Sequence, residues 1–178
     1  MTKEIELTQG YKAIVDDEDY ERVNVKKWYI RKWKRNDKMY AERKETLDGK
    51  VITLMMHRFV MNEPSKEFDI DHIDGNGLNN QKENLRICTR SQNCMNKRVR
   101  KDSGTGYKGV YEVKKDHKKL LGPNAKRFEA YIGIPETSGE RLFLGRYHTL
   151  REAVIIYNNK AVELFGEYVL LNDIPDDL

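Results

Sequence analysis

Between Phe68 and Lys97 the chain reads FDIDHIDGNGLNNQKENLRICTRSQNCMNK, and few local folds accommodate that order of signals. Asp69–Ile73 alternates as a half-buried strand does. Gly75 and Gly77 mark a turn. Asn84–Cys88 reads as a second strand. Thr89-Arg90-Ser91-Gln92 fits a capping box, with Thr89 as N-cap and Gln92 reaching back. The helix that starts there is expected to run through about Arg98. The local order is therefore strand, loop, strand, helix.

The residues on this frame carry chemistry. Asp71 is a hard anionic ligand suited to Mg2+ or Mn2+. His72 is neutral near pH 7 and can accept a proton from water. Neighbours on a strand point to opposite faces, so Asp71 and His72 serve one site only at a strand end or a distortion, which the Gly75/Gly77 loop permits. Asn93, one turn into the capped helix, can face the strand and add an amide oxygen. One cation, one base and one phosphate are what phosphodiester hydrolysis needs.

The residues before this run read as strand-rich. Ile5–Leu7, Lys12–Val15, Trp28–Ile30, Met39–Arg43 and Val51–Leu54 are strand candidates, with Asp48-Gly49 as a hairpin turn. The acids Asp16–Asp19 fit a helix start, with Asp16 or Asp17 as its cap. Thr53–Met61 is expected as a buried helix under the motif. Val99–Gly106 is polar and glycine-bearing and reads as a linker. Beyond it Tyr107–Val113, Arg127–Ile134 and Arg141–Tyr147 are strand candidates. Leu150–Phe165 is an amphipathic helix on Ala153, Ile156, Tyr157, Lys160, Ala161 and Leu164, capped by Thr149 or the preceding loop and ended by Gly166. The fold class is α+β.

Composition narrows the function classes. The net charge is +4, and from Arg86 to Lys101 there are six basic residues (Arg86, Arg90, Lys97, Arg98, Arg100, Lys101) and no acidic one. Such a stretch suits a phosphate backbone. Mean hydropathy is −0.83, yet ten Tyr, five Phe and two Trp suffice to seed cores. Two cysteines, Cys88 and Cys94, supply neither a disulfide framework nor a zinc site; free thiols in a reducing cytoplasm are expected. The N-terminal MTKEIELTQG lacks a signal-peptide core and no apolar run spans a membrane. The expected location is therefore the cytoplasm of a bacterial or phage-infected cell, with no membrane partner and no small-molecule cofactor.

DHIDGNGLNN…ENLRICTRSQN resembles the HNH endonuclease motif of the ββα-metal fold, and TQGYKAIVDDEDYE…KWY…YAER…MHRF resembles the N-terminal part of phage and bacterial HNH homing endonucleases. The resemblance covers about residues 1–98, with the ββα-metal core at about 68–98. It implies Asp71 and Asn93 as ligands of one Mg2+ or Mn2+ ion, His72 as general base, and Asn84 as the central asparagine that braces the loop. Asn93 stands where the family name puts a second histidine, and a neutral amide holds the metal more weakly. His57 is read as structural or phosphate-contacting.

GYKGVYEV…RFEAYIGI…RLFLGRYHTLREAVIIYNNKAVELFG is similar to the Apetala-two, or ethylene-response-factor, DNA-binding domain over about 107–172, leaving 173–178 as a tail. That resemblance implies a three-stranded antiparallel sheet in the major groove of double-stranded DNA with one helix behind it. Lys108, Arg141 and Phe143 match its DNA-contacting positions. Tyr111, Val113 and Gly133 stand where plant members carry arginine, so the plant recognition sequence is not carried over. Alternation alone turns Phe128, Ala130, Ile132, Leu142 and Leu144 toward the helix and Arg127, Glu129, Tyr131, Arg141 and Phe143 away from it, a face suited to phosphate and base contact. Lys114, Lys115, Lys118, Lys119 and Lys126 are candidate backbone clamps. The expected protein is a metal-dependent, homing-type DNA endonuclease, monomeric or weakly dimeric. The competing readings are a non-catalytic DNA-binding regulator and an RNA-binding or host-interaction module.

Overall fold

A computed structural model describes residues 1–33, 37–113, 126–135, 137 and 139–178. The chain divides into two compact units, Met1–Asn93 and Cys94–Leu178. It is a mixed fold of small antiparallel sheets and few helices.

In the first unit β1 (Thr2–Glu6) and β2 (Lys12–Asp16) form an antiparallel hairpin. Its alternation buries Ile5, Ala13 and Val15. Helix α1 (Asp17–Asn24) follows without a break. β3 (Tyr29–Trp33), β4 (Lys38–Leu47) and β5 (Lys50–Met55) make an antiparallel sheet in that order. The β4–β5 turn uses Asp48 and Gly49 at φ 49° and 74°, the left-handed pair that a two-residue hairpin requires. Trp28 is fully buried, and its indole N–H donates to Val23 O at 2.8 Å. The Arg43 guanidinium lies 4.4 Å from the ring centres of both Trp28 and Phe59.

Two local expectations are corrected here. The helix expected over Thr53–Met61 is the short α2, Met56–Val60, because the ladder with β4 continues as far as Glu42↔Met55 and satisfies those backbone groups. Asp16 precedes α1 but makes no capping bond. Its carboxylate instead accepts from Lys82 N at 2.8 Å, far along the chain. Ile14 N donates to Leu78 O (2.8 Å) and Asn80 N to Ile14 O (2.7 Å). Strand β2 thus anchors the loop that precedes the second strand of the motif.

That motif is β6 (Asp69–His72) paired antiparallel with β7 (Leu85–Cys88), with Asp71 opposite Arg86 and His72 opposite Leu85. Helix α3 (Arg90–Met95) follows. Its capping box is present: Thr89 N donates to Gln92 Oε1 (2.8 Å) and Gln92 N to Thr89 Oγ1 (3.2 Å). The helix stops short of Arg98 because Met95 O, which an α-helix would bond to Val99 N, accepts from Leu170 N (3.2 Å) and Lys108 Nζ (3.1 Å).

In the second unit β8 (Val110–Glu112), β9 (Phe128–Gly133) and β10 (Arg141–Tyr147) form an antiparallel sheet in the order β10-β9-β8. A bulge lies between Phe143 and Gly145. Helix α4 (Leu150–Phe165) has a full capping box between Thr149 and Glu152. Its buried stripe is Ala153, Val154, Tyr157, Asn158, Ala161 and Phe165, so Ile156, expected inside, is 37% exposed. Leu142, also expected inside, is 38% exposed. Gly109 (φ +70°) is required: a Cβ there would strike the Tyr157 ring and Tyr131 O. Asn158 exchanges hydrogen bonds with the backbone of Asn172, and Ile174 packs on the core, so residues after α4 dock on this unit.

Candidate active site

Strand alternation sends Asp71 and His72 to opposite sides of β6. Asp71 is 6% exposed and faces Arg86 across the ladder; Arg86 Nε and Nη2 donate to its Oδ2 at 3.0 and 2.8 Å. His72 is 5% exposed and points into a cluster of rings. His57 lies 5.1 Å away, nearly perpendicular at 84°, and Tyr40 lies 5.9 Å away. His72 Nε2 is 3.4 Å from Asn80 Oδ1, and Asn80 is fully buried. Burial pushes the His72 imidazole below its ordinary range, while the Asn80 bond and the Asp74 and Asp71 charges pull it partly back. For His57, burial and then the His72 and Arg58 charges push the pKa down to about 3.

Asn84 braces the loop that returns from His72. Its Oδ1 accepts from Asp74 N at 3.0 Å, and its Nδ2 donates to Asp74 Oδ1 at 3.0 Å and to Asn79 O at 2.8 Å. Asp74 also accepts from Asn76 N (2.7 Å) and Asn79 Nδ2 (2.8 Å). Burial raises the Asp74 carboxyl, but the bonds from Asn79, Asn76 and Asn84 outweigh it and leave the pKa below the usual range. Gly77 sits against Tyr40, and a Cβ there would overlap Met39 O and the Tyr40 ring. The loop is thereby pressed onto the wall of the His72 pocket.

Asn93 faces β6, as its place in the capped helix implies: its Nδ2 donates to Asp69 Oδ2 at 2.9 Å. Asp69 and Asp71 share one side of β6, two residues apart. Among the described residues no three His, Cys, Asp or Glu side chains converge on a metal-sized site. The fit to a metal rests on donor chemistry. Asp71 and Asn93 offer oxygen, which suits a hard divalent cation, and the buried Asp71 carboxylate already holds a cation in the Arg86 guanidinium. The nearby thiol does not compete: burial, reinforced by Asp71 and Asp69, pushes Cys88 up to about 11, which keeps it protonated.

The residues expected to meet DNA fall in three settings. Arg90, Lys97, Arg98, Arg100, Lys101, Arg127, Arg141 and Phe143 are exposed, as is Lys126. Arg100 is paired with Asp102 at 2.9 Å, and Lys97 Nζ lies 3.2 Å from Cys94 Sγ. Arg86 is turned onto Asp71, and Lys108 is turned inward onto Met95 O and Leu170 O, where burial lowers its pKa to about 8. On the outer sheet face Tyr111, Tyr131 and Phe143 form a row, with ring centres 6.0 and 5.1 Å apart. The Arg141 guanidinium lies 5.7 Å from the Tyr131 ring. Lys114, Lys115, Lys118 and Lys119 lie outside the described residues. Sequence reasoning missed Asn80, Tyr40 and the Arg86–Asp71 pair; only the cross-strand register could have suggested the last.

Residues 57–95 match the HNH endonuclease family, a span that contains Asp71, His72, Asn84 and Asn93. The chain thus carries an HNH endonuclease domain. It is 30% identical over 126 residues to an uncharacterized HNH endonuclease of Acanthamoeba polyphaga mimivirus, covering 68% of this chain and 58% of that protein. The chain therefore spans little more than half of that relative's length. No solved structure matches the chain. No helix among the described residues is long and apolar enough to cross a membrane.

Proposed function

We propose that this chain is a metal-dependent HNH endonuclease that hydrolyses a phosphodiester bond of double-stranded DNA at a recognised site, in the manner of homing enzymes. The observation that carries this reading is the buried pair of consecutive residues Asp71 and His72 at the end of β6, within the residues that match the family. In this reading β6, β7 and α3 are the ββα-metal core. Asp71 and Asn93 would hold one Mg2+ or Mn2+ ion, which when bound neutralises the phosphate and the leaving oxygen. His72 accepts the proton of the attacking water, and Asn84 keeps the loop behind it in place. Tyr40 and His57 wall the imidazole from bulk solvent.

The unit from Cys94 onward is proposed to bind DNA. Its sheet-and-helix order supports an Apetala-two-type reading, which otherwise rests on the sequence resemblance, since the family match ends at residue 95. The exposed Lys97, Arg98 and Arg100 border a groove of about 490 Å3 that includes Tyr107 and Tyr111, and this suits a phosphate backbone. The row of Tyr111, Tyr131 and Phe143 with Arg141 suits base and sugar contact. One active site per chain nicks one strand; a double-strand break takes two chains or two encounters.

Purified protein with Mg2+ or Mn2+ should nick supercoiled plasmid, and His72→Ala should abolish nicking while gel-shift binding persists. Cleavage by His72→Ala at the wild-type rate would sink the assignment. Tight specific binding without cleavage by the wild type with either metal would favour the regulator reading.

A further inference from the structure

The groove bordered by Lys97, Arg98 and Arg100 has a volume of about 490 Å3, and that size limits what enters it. It falls within the range of about 300–1,000 Å3 usual for small-ligand sites. A double helix, with a major groove about 12 Å wide, is far too broad for such a cavity and meets it only from outside. A single nucleotide, once out of the base stack, fits inside. The lining is of two kinds. Lys97, Arg98 and Arg100 are exposed cations. Asp102 is paired with Arg100 at 2.9 Å on open surface, where an ion pair is weak and readily exchanged. The Lys108 ammonium is turned onto Met95 O and Leu170 O. The lining thus keeps an excess of positive charge, which suits phosphate. The other walls are Tyr107, Tyr111 and Tyr157. Bases in a duplex cover one another's faces and offer only edges, whereas an unpaired base offers its face, which stacks on an aromatic ring. Among the described lining residues there is no Asn or Gln to read a base edge.

These walls are fixed before any ligand arrives. Lys108 N donates to Asn172 Oδ1 at 2.7 Å, and Asn172 Nδ2 donates to Lys108 O at 3.1 Å. Thr105 Oγ1 donates to Val110 O at 2.8 Å and accepts from Tyr107 N at 3.3 Å. A site formed in advance spends little binding energy on ordering itself. Tyr111 also begins the ring row of the outer sheet face, with Tyr131 at 6.0 Å and Phe143 beyond it. We propose that this groove binds an unpaired nucleotide of single-stranded DNA, with phosphates on Lys97, Arg98 and Arg100 and the base on the tyrosine rings. The strand leaves the groove over Tyr111 toward Tyr131 and Phe143. The inference rests on the reading of the unit from Cys94 onward as the DNA-binding unit and adds the form of DNA it takes. A nick frees a strand end whose bases fray from the duplex, so the proposed reaction itself supplies this ligand.

Cys94 supplies the test. It is exposed and lines the groove, whereas Cys88 is buried and held protonated with a pKa of about 11. Maleimide alkylation of the full chain in metal-free buffer, followed by mass spectrometry, therefore reads occupancy of the groove without cleavage. Cys94→Ser identifies the signal by removing it. The probes are an oligothymidylate, which does not pair with itself, a hairpin duplex and an oligouridylate, all of equal charge. Saturating oligothymidylate should slow alkylation of Cys94 about 10-fold, and the duplex should leave it fast. Tyr111→Ala should weaken oligothymidylate binding, read by fluorescence anisotropy, about 10-fold. Equal protection by the duplex, protection by neither DNA, or protection by oligouridylate at lower concentration than oligothymidylate overturns the proposal. So does a folded Tyr111→Ala that binds as wild type; if that variant does not fold, wild-type alkylation still decides. Anisotropy separates the two readings: if neither DNA binds, the DNA-binding reading of the unit falls with the groove, and if DNA binds while Cys94 stays reactive, the groove alone falls.

Discussion

His57 should make the first unit lose stability in mild acid. Its pKa falls from 6.5 in the unfolded chain to about 3 in the fold, with burial as the main cause and the His72 and Arg58 charges adding to it. Below pH 6.5 the unfolded chain binds a proton that the folded chain refuses. Stability therefore falls as pH falls, from 6.5 down to about 3, and is fully retained above 6.5. The slope for one proton is about 1.4 kcal/mol per pH unit. From the upper limit of the window to about pH 5 this amounts to about 2 kcal/mol, reduced to about 1 kcal/mol by solvent at a ring that is only partly buried. The measurement is urea unfolding followed by tryptophan fluorescence at about pH 7.5 and pH 5, in wild type and His57→Gln. Both tryptophans, Trp28 and Trp33, lie in residues 1–93, so the signal reports this unit. The variant should start less stable, having lost ring contacts, but should show a flatter pH dependence by that 1–2 kcal/mol (about one to one and a half pH units of slope). Equal losses in the two proteins would refute the reasoning, because the remaining acid sensitivity of His72 is common to both.

Gly77→Ala should destabilise the first unit by about 2 kcal/mol in the same assay, since the added methyl meets backbone at Met39 O as well as the Tyr40 ring; an unchanged urea midpoint would show that the loop is not pressed onto Tyr40. Asn84→Ala removes three hydrogen bonds to Asp74 and Asn79 and should cost about 3 kcal/mol at about 1 kcal/mol each, together with nicking activity. A loss under 1 kcal/mol (about one bond's worth) would mean the loop stands without it. Arg86→Met leaves the buried Asp71 carboxylate without this guanidinium and should cost about 3 kcal/mol. Added Mn2+ should raise the melting temperature more in Arg86→Met than in wild type, because a cation competes with Arg86 for Asp71; an equal shift in both would separate Asp71 from metal binding.

Much of the secondary structure was legible because its signals are local. Period-two alternation located β2, β9 and β10, Asp48-Gly49 located the β4–β5 turn, and the capping boxes at Thr89 and Thr149 started their helices where expected. Other features were invisible because their partners lie far along the chain. The length of α2 depends on how far β5 stays paired with β4. The end of α3 depends on Lys108 and Leu170 taking the Met95 carbonyl. The two flanks of α4 look alike in sequence, since stripes through Ala153, Tyr157 and Ala161 can widen either way; docking of Asn172 on Asn158 selects the side that carries a polar residue.

The candidate site divides in the same manner. Spacing and residue type alone placed Asp71 and His72 at a strand end and Asn93 on the helix face toward β6, because those positions follow from strand and helix periodicity within one short segment, whereas the place of Asn84 behind the loop was implied by the family resemblance. Tertiary structure decided what each side chain meets. It set Arg86 on Asp71 through strand register, Tyr40 and His57 around His72 through the packing of β4 and α2, and Asn80 on Nε2 through the anchoring of its loop on β2. The protonation chemistry of a buried imidazole is fixed by those neighbours, and they are brought to it from segments that no local pattern connects.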